Sequence, residues 1–291
     1  MKPAPPIAPD VTYPKLAVYH DPITPIEPLP TPAPVTPAIE VVNLSVRYGQ
    51  ASGCESITFS ALPGERIAVI GPNGAGKSTM FKAVVGLLPM SSGTVSVSGE
   101  PCAASHDLVS YVPQHESVDW NFPANVWDVV MMSRTRHIGY FRTPRKPDRQ
   151  AVREALEKVE MWPLRHRQIG QLSGGQRRRV FIARALAQKA SVLLMDEPFA
   201  GVDAAAEAEI MSVLDTLRKL NVTLIVSTHN LGQAAHHYDK VLMINRQQIA
   251  FGPVAEVFNA QNLSQTFGGF LTVWQDQSPY TVIADDSCHE C

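Results

Sequence analysis

One nine-residue loop constrains the fold of this chain more than any other segment. It follows an apolar run at 66–70, and a helix is expected after it, from Ser78 to about Leu88; the loop reads Gly71-Pro72-Asn73-Gly74-Ala75-Gly76-Lys77-Ser78-Thr79. Glycines allow the backbone to wrap a phosphate with its amides directed inward, and the helix N-terminus adds a favourable dipole. Lys77 is expected to neutralise the β- and γ-phosphates, and the Ser78 hydroxyl to ligate Mg²⁺. The loop therefore predicts a site for a nucleoside triphosphate.

A second segment supplies the acids that such a site needs. The apolar run Val192–Met195 ends in Asp196 and Glu197. Acids at the carboxyl end of a buried parallel strand lie at the ligand edge of the sheet. Asp196 is therefore expected to hold Mg²⁺ through water, and Glu197 to polarise the attacking water.

The pattern of apolar residues predicts the fold class. Residues 39–46 alternate, whereas the runs 67–70, 192–195 and 223–227 are continuously apolar or nearly so, as in strands covered on both faces. Helix-period segments lie between them, with Val152, Leu156 and Val159 on one face, and Ile210, Leu214 and Leu217 on another. Strands that alternate with helices predict an α/β layered core with a largely parallel sheet.

A third motif requires more than one subunit. The sequence Leu172-Ser173-Gly174-Gly175-Gln176 precedes a helix that is expected to reach about Gln188. Ser173 is a good N-cap, and the two glycines permit close approach of a ligand. A second phosphate-directed helix N-terminus is superfluous within one monomer, so it is expected to complete the site of a partner subunit.

With this motif between the phosphate loop and the strand-end acids, the chain resembles the ATP-binding cassette (ABC) family over about residues 39–255. The resemblance implies a P-loop NTPase (RecA-like) α/β core, an antiparallel β subdomain and an inserted α-helical subdomain at about 115–172. Residues 1–38 hold twelve of the 24 prolines and are expected to be extended or disordered, since proline lacks a backbone donor. Residues 256–291 are assigned to a C-terminal tail.

The resemblance also implies roles for single residues, with ATP and Mg²⁺ as cofactors. Tyr48 would stack on adenine, and Gln114 would sense Mg²⁺ and contacts with the transporter. Asp203 would bridge two sites, and His229 would contact the γ-phosphate and orient Glu197. The nucleotide-binding set is completed by the loop Gly71, Pro72, Asn73, Gly74, Ala75, Gly76, Lys77, Ser78 and Thr79 and by Ser173, Gly174, Gly175 and Gln176. Asn230 departs from the family, which usually has Asp there, and this could alter how His229 is held.

Within the family, the chain is similar to the ATPases of manganese, zinc and iron importers. The similarity rests on His115–Pro123, on Val126–Met132 and on the arm Arg134–Arg145. It implies a second copy of the chain, a membrane-spanning permease and an extracytoplasmic metal-binding protein as partners, and a peripheral location on the cytoplasmic face of the membrane. Trp120, Phe122 and Trp127 have an alternative interpretation as the small core of the helical subdomain.

The net charge and the distribution of apolar residues argue against two other classes of function. A formal net charge of −2 gives no indication of nucleic-acid binding, and no run of 18 apolar residues is present to span a membrane. The terminal Cys288-His289-Glu290-Cys291 could bind a metal, or be an incidental feature of a mobile tail.

Several alternatives stay open at the level of sequence. The chain could be an ABC ATPase for another substrate, a translation or DNA-repair protein of the same family, or a switch that binds ATP without turnover. Arg177, Arg178 and Arg179 could form a solvated helix face, or one of them could touch the opposing nucleotide.

Overall fold

Ten strands form one mixed sheet in the described part of the chain. The structure is a computed structural model that describes residues 35–49, 51–102, 106–114, 122–139, 141–268, 272–274 and 281–283. The strands of the sheet are β1 (Ile39–Tyr48), β2 (Ala51–Ala61), β3 (Arg66–Ile70), β4 (Ser92–Val97), β5 (Glu100–Pro101), β6 (Val109–Val112), β7 (Val192–Asp196), β8 (Thr223–Ser227), β9 (Lys240–Asn245) and β10 (Gln247–Pro253). A separate antiparallel pair consists of β11 (Thr272–Trp274) and β12 (Thr281–Ile283).

The helices of the described residues flank this sheet and fill the insertion between β6 and β7. They are α1 (Lys77–Val84), α2 (Val126–Met132), α3 (Thr135–Ile138), α4 (Lys146–Lys158), α5 (Gly174–Gln188), α6 (Ala204–Lys219), α7 (Leu231–His237), α8 (Val254–Val257) and α9 (Ala260–Phe267).

The strand order divides the sheet into a parallel and an antiparallel half. The order is β5-β4-β1-β2-β10-β9-β3-β8-β7-β6. Strands β9, β3, β8, β7 and β6 are parallel neighbours, whereas β5, β4, β1 and β2 pair in antiparallel fashion. The expected α/β core with an antiparallel β subdomain is therefore confirmed.

The central strands are buried on both faces because both faces carry apolar side chains. Every residue of β3, β7 and β8 is buried. On one face, Ala68, Leu193 and Val226 join a core with the helices of the insertion. On the other face, residues such as Val69 and Leu194 pack with α1 and the antiparallel strands. This double covering explains why these strands lack polar alternation.

An ion pair fastens the inserted helices to one another. Arg134 donates to the Asp148 carboxylate at 3.0 Å and to the carbonyl of Ala187, at the end of α5, also at 3.0 Å. Trp127 packs edge-on against Trp162 with ring centroids 6.0 Å apart. Of the three aromatic residues with an alternative interpretation as the small core of this subdomain, Trp127 packs there and Phe122 is 54% exposed. Trp120 lies outside the described residues.

Two boundaries differ from the sequence expectation. Helix α1 ends at Val84 rather than near Leu88, because Gly86 adopts a left-handed φ of 74° that stops the helix. The segment assigned to a tail after 255 contributes α9, whose Leu263 is buried in the core. The folded body therefore reaches at least Phe267.

Candidate nucleotide-binding site

The phosphate loop lies in a space that only glycine fits at two positions. A Cβ atom at Gly71 would come within 2.0 Å of the Ile244 carbonyl oxygen. Gly76 has a φ of 97°, and a Cβ there would meet the Gly53 carbonyl oxygen at 2.3 Å. The loop therefore packs directly against the backbone of β2 and β9, and both positions require glycine.

Lys77 is the buried cation of this loop. Its Nζ donates to the carbonyl oxygens of Gly71 at 2.6 Å and Pro72 at 3.1 Å. Burial lowers the pKa of Lys77, and the nearby Glu197 and Asp196 carboxylates act in the opposite direction. An anion bound in the loop would therefore stabilise the charged form of Lys77, which burial disfavours.

A cavity of about 550 Å³ opens in front of the loop. At one end Tyr48 is 51% exposed, and its hydroxyl lies 3.4 Å from Thr79 Oγ1. A Cβ at Gly53 would touch the Tyr48 ring at 2.9 Å, so glycine leaves room for that ring. The cavity is lined by Tyr48, Ser52, Gly53, Asn73, Gly74, Ala75, Gly76, Lys77, Ser78, Thr79, Gln114, Glu197 and Arg246.

The carboxylate of Asp196 is buried and held by two hydroxyls. Asp196 is 3% exposed. Ser227 Oγ donates to Oδ1 at 2.6 Å, and the Tyr111 hydroxyl donates to Oδ2 at 3.3 Å. Burial raises the pKa of Tyr111, and the charge and hydrogen bond of Asp196 raise it further. The phenol therefore stays protonated and remains a donor.

Glu197 has an unusual backbone conformation and a defined side-chain partner. Its φ is 47°, in the left-handed region that non-glycine residues rarely adopt. Its amide donates to Ser227 Oγ at 2.9 Å, and Gln114 Nε2 donates to Oε2 at 3.2 Å. The expected acid and the expected sensor residue are therefore in direct contact at the edge of the cavity.

His229 lines a smaller cavity of about 70 Å³ that it shares with Glu197. Asn230, the departure noted in the sequence, is the N-cap of α7, and its Oδ1 accepts from the Gln233 amide at 3.0 Å. Asn and Asp cap helices about equally well. The start of α7 after His229 is therefore capped as an aspartate would cap it.

The third motif lies apart from these residues. Ser173 caps α5 in a capping box, in which its Oγ accepts from the Gln176 amide at 3.3 Å. Asp203 caps α6, accepting from the Ala206 amide at 2.8 Å. Both residues are exposed, and neither they nor Gly174, Gly175 and Gln176 line the cavity of the phosphate loop.

Comparison with known proteins decides the family. The family model described as "ABC transporter" matches residues 54–200. The manganese transport system ATP-binding protein MntB of Halalkalibacterium halodurans is 44% identical over 249 residues, which is 86% of this chain and 99% of that protein. The chain belongs to the ABC transporter family. It is thus a nucleotide-binding ATPase subunit of a transporter whose membrane permease is a separate partner.

Other relatives of the family are similar over most of their length. The chelated iron transport system membrane protein YfeB of Yersinia pestis is 43% identical, covering 88% of this chain and 90% of that protein. The zinc transport system ATP-binding protein TroB of Treponema pallidum is 44% identical, with 81% and 88% covered. A chain of an inward-facing ABC transporter, described as of the metal-chelate type, superposes with a TM-score of 0.74 at 29% identity, covering 86% of this chain and 98% of that one. Among the helices of the described residues, none is long and apolar enough to cross a membrane.

The three arginines that follow the third motif have partners within the chain. Arg177 donates to the carbonyls of Ile169 and Gly170. Arg178 is 7% exposed and donates to the Ala200 carbonyl, just before Asp203. Arg179 pairs with acids of the neighbouring helices and turns, Glu160 and Glu209. A solvated helix face, one of the two interpretations from sequence, is therefore wrong for Arg178, because this residue is buried and binds a backbone carbonyl.

Sequence reasoning missed three residues of this ABC site. Arg246 lines the main cavity from the turn between β9 and β10, and its amide donates to the Ala75 carbonyl at 2.9 Å. Ser227 and Tyr111 hold Asp196. Ser227 comes two residues before His229, and Tyr111 comes three residues before Gln114, so their spacing to the named motifs was the available signal.

Proposed function

We propose that two copies of this chain close head to tail around two ATP molecules and hydrolyse them to drive import of a divalent metal through the permease. The observation that carries the dimer is the separation of the two phosphate-directed motifs. The N-terminus of α1 opens on the nucleotide cavity, whereas Ser173 at the N-terminus of α5 is exposed outside it. A helix N-terminus attracts anions only within about its first turn, so α5 needs a phosphate from elsewhere.

The oxygen donors of the site suit Mg²⁺. Ser78 and Gln114 line the cavity, and the buried Asp196 immediately precedes Glu197, which also lines it. Hydroxyl, amide and carboxylate oxygens are the ligands that this hard cation prefers. When bound, Mg²⁺ would neutralise charge on the β- and γ-phosphates.

The remaining roles are part of the same proposal, and the positions of the side chains are compatible with them. Lys77 would bind the phosphates, and Tyr48 would cover the adenine. Glu197, oriented by Gln114, would accept a proton from the attacking water, and His229 on its far side would contact the γ-phosphate. Ser173, Gly174, Gly175 and Gln176 would bind the γ-phosphate of the opposite copy, and Asp203 would connect the two sites.

The experiment for the ATPase dimer uses Glu197→Gln. This variant removes the base but keeps the phosphate cradle, so hydrolysis should fall by about 100-fold or more while ATP stays bound. Light scattering with ATP and Mg²⁺ should then show a dimer. Glu154→Gln, an exposed acid on α4, is the matched control and should hydrolyse ATP normally. A Glu197→Gln protein that stays monomeric at saturating ATP would contradict the dimer.

The metal substrate is supported by the relatives, which are named for manganese, zinc and chelated iron. A peripheral position at the cytoplasmic face and a metal-binding protein on the other side of the membrane would complete the importer. The test is ATP-dependent uptake of labelled manganese ions by vesicles that hold this chain with its copurifying permease, with zinc and ferrous ions as competitors. Uptake of none of the three ions would reject a metal substrate while leaving the ATPase intact.

A further inference from the structure

One buried hydroxyl joins the two acids of the ATPase site. Ser227 is fully buried at the carboxyl end of β8, next to the end of β7. Its Oγ donates to Asp196 Oδ1 at 2.6 Å and accepts from the Glu197 amide at 2.9 Å. The hydroxyl thus donates its single proton to the Asp196 carboxylate and accepts, through a lone pair, from the backbone of Glu197.

The second of these bonds acts at a strained residue. Glu197 has a φ of 47°, which costs energy for a residue with a Cβ atom and persists only where neighbours enforce it. The bond from its amide to Ser227 fixes the peptide that enters this conformation. The side chain of Glu197 reaches Gln114 from there. The direction of the carboxylate therefore depends on a backbone that Ser227 holds.

The bond from Ser227 to Asp196 orients the acid that is proposed to hold Mg²⁺. Asp196 Oδ1 accepts from Ser227 at 2.6 Å, and Oδ2 accepts a longer bond, 3.3 Å, from Tyr111. Hydrogen bonds to a carboxylate from outer partners set its orientation and affect metal affinity. Loss of the Ser227 proton would leave a buried carboxylate with one weaker donor among these two.

We propose that Ser227 is a positioning residue of the ATPase site, which orients Asp196 and Glu197 together by one hydroxyl. This inference rests on the proposed roles of the two acids. Ser227 does not line the main nucleotide cavity, but it borders the smaller cavity that Glu197 and His229 share. Its hydroxyl is engaged by Asp196 and by the Glu197 amide, so it acts on Mg²⁺ binding and water activation through these two neighbours, whereas the Tyr111 hydroxyl contacts Asp196.

The same strand provides a matched control at its other end. Thr223 is also fully buried, and its Oγ1 donates to the Leu62 carbonyl at 3.0 Å and accepts from the Gly64 amide at 3.1 Å. Its hydroxyl makes the same pair of bonds but touches no acid of the site. Removal of either hydroxyl is expected to lower the melting temperature, so stability alone does not separate positioning from packing.

The test compares Ser227→Ala, Thr223→Val and Tyr111→Phe by steady-state ATPase assays and by calorimetry with a non-hydrolysable ATP analogue, with and without Mg²⁺. For Ser227→Ala we expect kcat to fall about 10–100-fold, and the gain in nucleotide affinity on adding Mg²⁺ to shrink. Affinity without Mg²⁺ should stay unchanged, because the phosphate loop is intact. Tyr111→Phe should weaken the Mg²⁺ effect with a smaller loss of kcat, and Thr223→Val should change neither.

Each outcome bears on the inference. A Ser227→Ala protein with the parent's kcat and Mg²⁺ response overturns it, as does an equal kcat loss in Thr223→Val. Ser227→Thr keeps the hydroxyl and should recover most of the activity; a folded Thr variant as slow as the Ala variant also counts against positioning. If Ser227→Ala does not fold, Ser227→Cys replaces it, and full activity of that variant overturns the inference. Absence of hydrolysis in the parent protein would instead reject the proposed function.

Discussion

Lys77 and Ser173 both belong to phosphate-directed helix starts, but their surroundings differ. Lys77 is 6% exposed inside the cavity of its own chain. Ser173 lies on the surface, where its side chain caps its own helix. In the proposed dimer, Lys77 contacts nucleotide within its own chain and Ser173 does so across the interface, so substitutions of the two should fail in different assays.

Substitution of each residue separates these two situations. Lys77→Ala removes charge-assisted bonds worth about 1.5–3 kcal/mol, so nucleotide affinity of the monomer should fall about 10–100-fold. Ser173→Ala should leave monomer affinity unchanged and lower turnover by the dimer about tenfold, which corresponds to the loss of one hydrogen bond of about 1.5 kcal/mol. The measurements are nucleotide titration of dilute protein and ATPase assays at high protein concentration.

The control addresses the cap that Ser173→Ala also removes. Asn259 caps α9 by the same kind of bond, at 3.0 Å to the Asn262 amide. Loss of such a cap costs about 1 kcal/mol of stability. Asn259→Ala should therefore match the stability loss without the loss of turnover. Equal losses of monomer affinity in the Lys77 and Ser173 variants would contradict the assignment.

Arg246 adds a cation to the site that no motif indicated. Its side chain lines the nucleotide cavity, and no ion pair among the described residues includes it. A hydrogen bond from this guanidinium to the nucleotide, worth about 1.5 kcal/mol, would make Arg246→Ala bind ATP about tenfold more weakly. Titration should show that Arg246→Lys recovers part of the affinity.

The matched control for the lost charge is Arg149→Ala on α4, an exposed arginine that does not line the cavity. It should bind ATP as the parent does. Equal ATP affinity of Arg246→Ala and the parent would show that Arg246 does not contact the bound nucleotide.

At the scale of elements, the sequence predicts the buried parallel strands and the helices that start at a motif. Continuous apolar runs predict β3, β7 and β8 because nothing polar interrupts them. Ser173 likewise predicts the start of α5, since capping is a local property. The end of α1 is less predictable, because Gly86 stops it before Leu87 and Leu88 can extend the apolar pattern.

Contacts between distant elements are the part that sequence cannot supply. Ser227 and Asp196 are 31 positions apart, and only the alignment of β7 with β8 brings them together. Arg246 reaches the phosphate loop from a turn 171 positions beyond Ala75. The spacing of Ser227 to His229 indicates that it lies near the site, but the contacts themselves depend on strand register and turn geometry, which no local pattern in the sequence encodes.

The ion pair of the inserted helices leads to a prediction about stability. Arg134 and Asp148 have side chains that are 8% and 9% exposed. Removal of one partner of a buried pair costs about 3–5 kcal/mol because the other charge is left uncompensated. Arg134→Met and Asp148→Leu should each lower the free energy of unfolding by about 3 kcal/mol in urea titrations, and the double variant should lose less than the sum.

The same pair gives the stability a pH dependence. Burial works against ionisation of Asp148, but bonds from the Arg145 amide and the Arg134 guanidinium outweigh it, and the pKa of the carboxyl is lowered. Its contribution is therefore present above the ordinary aspartate pKa of about 4 and is lost as the pH falls below it. Asp148→Leu should reduce the decrease of the free energy of unfolding at acid pH. If the stability losses of the two single variants add in the double variant, and Asp148→Leu leaves the pH dependence at acid pH unchanged, the pair does not stabilise the subdomain.

At the scale of the whole molecule, the fold gathers the phosphate loop and the two acids at one cavity and leaves the third motif exposed outside it. The carboxyl ends of β3 and β7 bring the phosphate loop and the acids to one edge of the sheet. Helices α5 and α6 begin with exposed caps outside that cavity. One chain therefore has the chemistry to bind nucleotide, and hydrolysis is expected to need a second copy.

The final prediction concerns the proline-rich segment before the sheet. Composition predicts that residues 1–38 are dispensable for hydrolysis, since proline-rich chains cannot make regular backbone bonds. However, Ala38 is buried, donates to the Ala61 carbonyl at 2.8 Å and accepts from the Ser98 amide at 3.0 Å. A chain that starts at Val35 should keep the kcat and melting temperature of the full chain. A chain that starts at Ile39 loses two backbone bonds, about 1–2 kcal/mol, and should melt roughly 2–8 °C lower. Loss of ATPase activity in the chain that starts at Val35, with an unchanged melting temperature, would assign residues 1–34 a part in the reaction.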